Sequence, residues 1–285
     1  MAKKEKSPRE YQGVRDEIRE QQMKTKDMSF KGKLGYFWDY YKIHTLAGLF
    51  ALFLIVTLVH DIFTSKDYSF YAVMLNADSM PSDGLEAAFA EYAGLDENTY
   101  DCFIDTYSVM SMHNTSQYDM ATSQKLMALT QTKDLDIAVF DSEVYNNYAY
   151  NEMFTDLRTI FTEEELAPYR EHLYYIDYAY IRKGDGDIDY ENPALLYYDN
   201  MTIPPQEEIE AEADRHRRPE DMEEPVPVGI FVDSAPLISQ SNAYSRLIPV
   251  FGFSATSQRI DTGKKYLEFI FDETIDFASV LQEQE

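Results

Sequence analysis

The sequence predicts an α/β protein in which one membrane-spanning helix precedes a domain built on a mostly parallel sheet. Three observations carry this. A single apolar stretch occupies Ile43–Phe63, short β-branched or aromatic runs alternate with helical patterns after Lys66, and the charge balance changes sign across the stretch. Strands alternating with helices indicate a parallel sheet covered on both faces, with right-handed crossovers.

Residues 1–42 form the first segment, basic and amphipathic. Ser7-Pro8-Arg9-Glu10 is a helix start, with Ser as N-cap, Pro in the first turn and Glu reaching back to the cap, so a helix is expected over 8–25. That helix has few apolar residues and many charges, which makes it a solvated arm rather than a domain. Phe30, Leu34, Phe37, Trp38 and Tyr41 then recur at spacings of three and four. They share one face of a helix that either lies on the inner leaflet, with Lys31 and Lys33 nearby, or extends the span. Periodicity fits both.

Residues 43–63 are the expected span, an uncleaved signal anchor. Crossing a hydrocarbon core of roughly 30 Å takes about 20 residues, which this stretch supplies with His44, His60 and Asp61 at its interfaces. A buried core helix is the alternative. Tyr36, Phe37, Trp38, Tyr40 and Tyr41 argue against it as an interfacial aromatic belt. A cleaved signal peptide has a short basic leader, whereas 42 residues come first here. Those 42 carry 11 Lys and Arg against 7 acids, net +4, and the remaining 243 carry 14 against 44, net −30. The positive-inside bias places the N-terminus in the cytoplasm and residues 68–285 outside the cell. The lone cysteine, Cys102, excludes an intramolecular disulfide and lies too far beyond the span for a lipid anchor.

In the expected extracellular domain, Phe70–Leu75, Asp101–Tyr107 and Asp136–Phe140 read as strands. Helical patterns follow them over Gly84–Tyr92, Asp119–Thr130 and Ser142–Met153, with Met120, Leu126, Met127 and Leu129 available to the second buried face and Val144, Tyr148 and Met153 to the third. From Leu173 the chain is β-like and tyrosine-rich, with a hairpin turn at Lys183–Gly186. Residues 200–224 lose nearly all large apolar residues and read as an acidic mobile insertion or linker. Val226–Val232 and Ser245–Phe253 are further strands, Pro249 marking the second as an edge or bulge, and Asp261–Phe271 is a closing helix.

Ligands of open parallel sheets sit at the carboxyl ends of the strands, which selects the loops Asn76–Ser79, Asp141–Tyr145 and Asp233-Ser234. The candidate ligand-binding residues are therefore Asn76, Asp78, Asp141, Ser142, Tyr145 and Ser234. Asp141 and Ser142 are also preferred helix caps, which competes with that role. Asp185, Asp187 and Asp189 alternate as in a calcium loop, but Tyr190 stands at the glycine position and Leu196 where a bidentate Glu belongs, so a polar hairpin tip is the better account. His44, His60, His113, His172 and His216 show no zinc spacing, and no catalytic elbow, phosphate loop or dinucleotide fingerprint occurs. No enzyme activity, metal or cofactor is expected. Tyr174, Tyr175, Tyr178 and Tyr180 fit either a sugar or peptide groove or ordinary strand packing. Arg215, Arg217 and Arg218 read as a locally neutralised cluster, and the net −30 excludes nucleic acid as a partner.

The run MALTQTKDL, DIAVF, EVYNNYAYNEM and FTDLRTIFTEEEL, with the later VPVGIFVDS and LIPVFGFSATSQRIDTGKKYLEFIF, resembles extracellular solute-binding proteins of the type II periplasmic-binding-protein fold. The resemblance covers most of residues 68–275. It implies one complete lobe, a reduced second one, and non-catalytic binding of a small ligand or of a protein partner; a peptide or sugar is the ligand that the tyrosines would suit. The alternative is a membrane assembly or scaffold component that keeps the fold, has lost ligand binding and works with other membrane proteins.

Overall fold

The computed structural model describes residues 18–19, 23, 26, 28–64, 67–77, 80–96, 98–113, 116–182, 204–241, 243–244 and 246–282, in two units that divide after Ser65. The helix expected over 8–25 lies almost wholly outside these residues, as do the calcium-like run and the hairpin turn at Lys183–Gly186.

Helix α1, Phe30–Thr64, dominates the first unit and contains the 20-residue segment Tyr41–His60, long and apolar enough to cross a membrane and with none of its residues buried inside the protein. At about 1.5 Å per residue such a segment spans roughly 30 Å. Within it Thr57 turns its hydroxyl back onto Leu54 O at 2.9 Å, so the side chain presents no unpaired donor to its surroundings. The helix is continuous from Phe30, which makes Phe37, Trp38 and Tyr41 an extension of the apolar segment rather than a separate surface helix.

The second unit is an α/β domain in chain order β1 (Tyr68–Met74), α2 (Ser82–Ala93), β2 (Asp101–Asp105), α3 (Gln117–Thr132), β3 (Ile137–Asp141), α4 (Ser142–Tyr150), short turns α5 (Leu157–Ile160) and α6 (Glu163–Leu166), β4 (Leu173–Asp177), α7 (Tyr178–Arg182), α8 (Gln206–Arg215), β5 (Pro225–Phe231), α9 (Pro236–Ser241), β6 (Pro249–Phe253), α10 (Ile260–Phe271) and α11 (Phe277–Val280). The six strands lie in the order β2-β1-β3-β6-β5-β4. β1 is parallel to β2 and β3, but the pairs β3–β6, β6–β5 and β5–β4 are antiparallel. The sheet is therefore mixed, which corrects the mostly parallel expectation. The βα alternation that predicts parallel strands holds through β3, and beyond it the chain lays its strands down antiparallel to their neighbours.

Each face of the sheet carries a core. Alternate residues Phe70, Ala72 and Met74 of β1 face α2, α9, α10 and α11 with Phe89, Leu237, Tyr266 and Phe277. Tyr71, Val73 and Leu75 face α3, α4 and α8 with Leu126, Val144, Tyr145 and Ala213. This is the period-2 pattern of a sheet buried on both sides. One buried ion pair ties the edge of this layer together: Asp136, fully buried, accepts from Arg259 Nε at 2.8 Å, Ser257 Oγ at 2.7 Å and the Tyr71 amide at 3.0 Å.

Four further expectations are corrected. Met120 and Met127 are exposed, because the buried face of α3 is set by Asp119, Thr122 and Leu126. Pro249 begins β6 in the middle of the sheet, where a first residue needs no ladder donor, so it marks neither edge nor bulge; register shifts fall instead between Tyr174 and Tyr175, opposite β5, and between Tyr68 and Phe70, opposite β2. The β-like stretch from Leu173 stops at Asp177, whose carboxylate accepts from the Ala179 amide and turns the chain into α7. The acidic insertion contains α8, which seats Ile209 and Ala213 against the protein and ends at buried His216.

Candidate functional site

The expected ligand loops gather at the carboxyl ends of β1, β3 and β5. Asn76 follows β1 in the left-handed region, φ 63°, a conformation asparagine tolerates. Its side chain is used completely by the protein. Nδ2 donates to Met110 O at 2.9 Å and to Asp141 Oδ2 at 2.8 Å, while Oδ1 accepts from the Met110 amide at 3.0 Å. Asp141 caps α4, accepting from the Val144 amide at 3.2 Å, and is buried. Burial pushes its carboxyl up to about 6, against the Val144 and Asn76 donors that oppose the shift. Beside it His113 Nε2 and Glu143 Oε2 approach to 3.0 Å.

The structure thus brings Asn76 and Asp141 together and spreads the other candidates. Ser142 is buried in the first turn of α4. Tyr145 belongs to the core: its ring stacks on Phe154 at 4.1 Å and its hydroxyl donates to Val228 O at 2.8 Å. Gly229 and Gly252 make room for it, since a Cβ at either would collide with that hydroxyl. Ser234 is exposed in the turn after β5, and Asp78 lies outside the described residues. Nor do the tyrosines share a groove: Tyr174 is buried and Tyr178 donates to Glu152 from α7. The arginine cluster is neutralised as expected, with Arg215 on Glu212 at 2.8 Å, Arg218 on Asp221 at 3.2 Å, and Arg217 over the Phe231 ring at 3.6 Å.

A cavity of about 320 Å³ opens at the opposite end of the sheet, where the end of β4 meets α4, α7 and the segment following α8. Asn146 and Tyr150 of α4, Tyr180 of α7, and His216, Arg215 and Arg218 contribute to its wall. Burial lowers His216 to about 4, so its imidazole is neutral around pH 7. No group of three or more His, Cys, Asp or Glu suited to a metal occurs among the described residues.

The chain matches no known family model, no curated protein and no solved structure. The site rests on its own geometry. His216 and Asn146 were not singled out as site residues by the sequence, because the stretch carrying His216 has the composition of a linker and Asn146 sits mid-helix. The one available signal was the spacing Ile209, Ala213, His216, a helical stripe within an otherwise charged segment.

Proposed function

We propose that this is a single-pass membrane protein, N-terminus cytoplasmic, that holds a solute-binding-like α/β domain on the outer face of the cell membrane, where it binds a ligand or partner without chemistry. The observation that carries this is the pairing of a 20-residue apolar helix segment, none of whose residues is buried, with a domain whose two cores are closed within itself. An apolar surface of that extent has no stable place in water. The charge difference between the two sides gives the orientation. Support for the test comes from alkaline carbonate extraction of membranes: the full chain is expected to stay with the lipid, and a chain lacking residues 43–63 to be released. Release of the intact chain would overturn the anchor.

A second reading, the assembly or scaffold component, is favoured by the carboxyl edge. There Asn76 and Asp141 satisfy each other and Met110, and Tyr145 is committed to the core. A ligand at that edge would have to break these bonds. On this reading Asn76→Ala weakens the fold and leaves partner capture from detergent-solubilised membranes to the rest of the domain surface.

A further inference from the structure

Two cavities flank α4, and they differ in what their polar groups are doing. In the one of about 420 Å³, Arg158 clamps Asp156 at 2.8 Å and Tyr178 donates to Glu152 at 2.8 Å, so these lining groups are already engaged. The cavity of about 320 Å³ keeps polar capacity in reserve. His216 is 6% exposed, its ring stacked on Tyr174 at 4.3 Å with Nδ1 2.8 Å from Tyr175 O. A carbonyl only accepts, so the imidazole proton sits on Nδ1 and Nε2 is an acceptor with no partner among the described residues. Asn146 is 8% exposed; its Oδ1 accepts from the Tyr174 hydroxyl at 3.2 Å, and its Nδ2 likewise has no partner among the described residues. Tyr150 accepts the Asp177 amide at 3.3 Å and keeps its own proton to donate.

We infer that this cavity binds a small uncharged polyhydroxylated molecule, a monosaccharide, with His216 Nε2 accepting from its hydroxyls and Asn146 Nδ2 and the Tyr150 hydroxyl donating to them. The choice follows from matching. A hydroxyl donates and accepts at once, which suits the neutral donors Asn146 and Tyr150 beside the neutral acceptor His216, while the charged groups of the wall are engaged, Arg215 with Glu212, Arg218 with Asp221, and Asp177 with the Ala179, Glu223 and Glu224 amides. An anion would need an unpaired cation, and Arg215 and Arg218 are held by Glu212 and Asp221. An apolar ligand would strand the buried atoms of His216 and Asn146, at about 1–3 kcal/mol for each. The volume falls at the small end of the roughly 300–1,000 Å³ range of ligand sites, and the rings of Tyr150 and Tyr180, 6.5 Å apart, offer apolar surface to the C–H face of a sugar. Six of the ten lining residues come from the segment that composition alone marks as a linker.

The inference rests on the binding reading above, and its test is independent of membrane orientation. Full-length protein in detergent is titrated calorimetrically with glucose, galactose, mannose and N-acetylglucosamine, and with their methyl glycosides as stand-ins for a sugar at the end of a glycan. At least one sugar is expected to saturate a single site. Asn146→Asp and the half-exposed Tyr180→Ala should each weaken it about tenfold or more, whereas Ser234→Ala leaves it unchanged. Binding of the free sugar alone identifies a free solute, and binding of the glycoside as well identifies a glycan end. Saturation by none of these sugars, or affinity indifferent to both cavity variants, overturns the proposal. Glutamate and inorganic phosphate are titrated alongside, and tight binding of either that Tyr180→Ala abolishes would overturn the ligand class and leave the binding reading standing.

Discussion

Replacing Asp141 by Asn should remove a pH dependence that the fold carries. The carboxyl is 4% exposed, and burial, helped by the neighbouring Glu143 charge, lifts it from 3.8 to about 6. An unfolded chain releases this proton near pH 4, so between about pH 4 and pH 6 the folded state binds the extra proton. Stability contributed by this group therefore falls as pH rises through that window. At about 1.4 kcal/mol per pKa unit the loss by pH 7 is roughly 3 kcal/mol. Asn is an equally good cap for the Val144 amide through its Oδ1, but the NH2 that then replaces Oδ2 cannot accept from Asn76 Nδ2, which adds a pH-independent cost of about 1 kcal/mol. The assay is urea unfolding of the full chain in detergent, followed by far-UV circular dichroism at pH 4, 5, 6 and 7, taking the difference between wild type and Asp141→Asn so that the other carboxylates cancel. That difference should shift by roughly 2–3 kcal/mol in favour of the variant between pH 4 and pH 7. Parallel stability curves would refute the reasoning.

Three further outcomes are expected. Tyr145→Phe leaves the Val228 carbonyl buried without its donor and should cost about 1–3 kcal/mol in urea unfolding. Arg259→Ala strands the fully buried Asp136 charge and should cost about 3–5 kcal/mol, the largest single loss of this set. Ala213→Glu puts a charge under α8, where Ala213 is 1% exposed, and should make residues 204–224 sensitive to limited proteolysis while the sheet keeps its melting transition.

Local pattern carried much of the fold, and the reasons it failed elsewhere are specific. β1, β3 and β5 are continuous apolar runs because both faces are covered, and such runs are legible without tertiary knowledge. The direction of β6 is not local information: Pro249–Phe253 reads the same in either sense, and only its register against Ile137–Asp141 makes it antiparallel. Helix α8 was hidden because two small buried contacts, Ile209 and Ala213, suffice to seat it among many glutamates, so its composition resembles a linker. At the carboxyl edge the residue types were legible and their use was not. Whether Asn76 serves a ligand or Met110 depends on where the loop before α3 runs. The cavity at the other end draws His216 and Asn146 together from 70 positions apart in the chain, a juxtaposition that spacing cannot express.

The proposal that the domain is anchored and faces outward is tested most directly by labelling single cysteines in intact cells with a membrane-impermeant maleimide, in a Cys102→Ser background. Arg170→Cys, on an exposed turn of the domain, should label in intact cells, and Arg19→Cys only after the membrane is opened. Labelling of position 19 but not position 170 in intact cells would contradict the account.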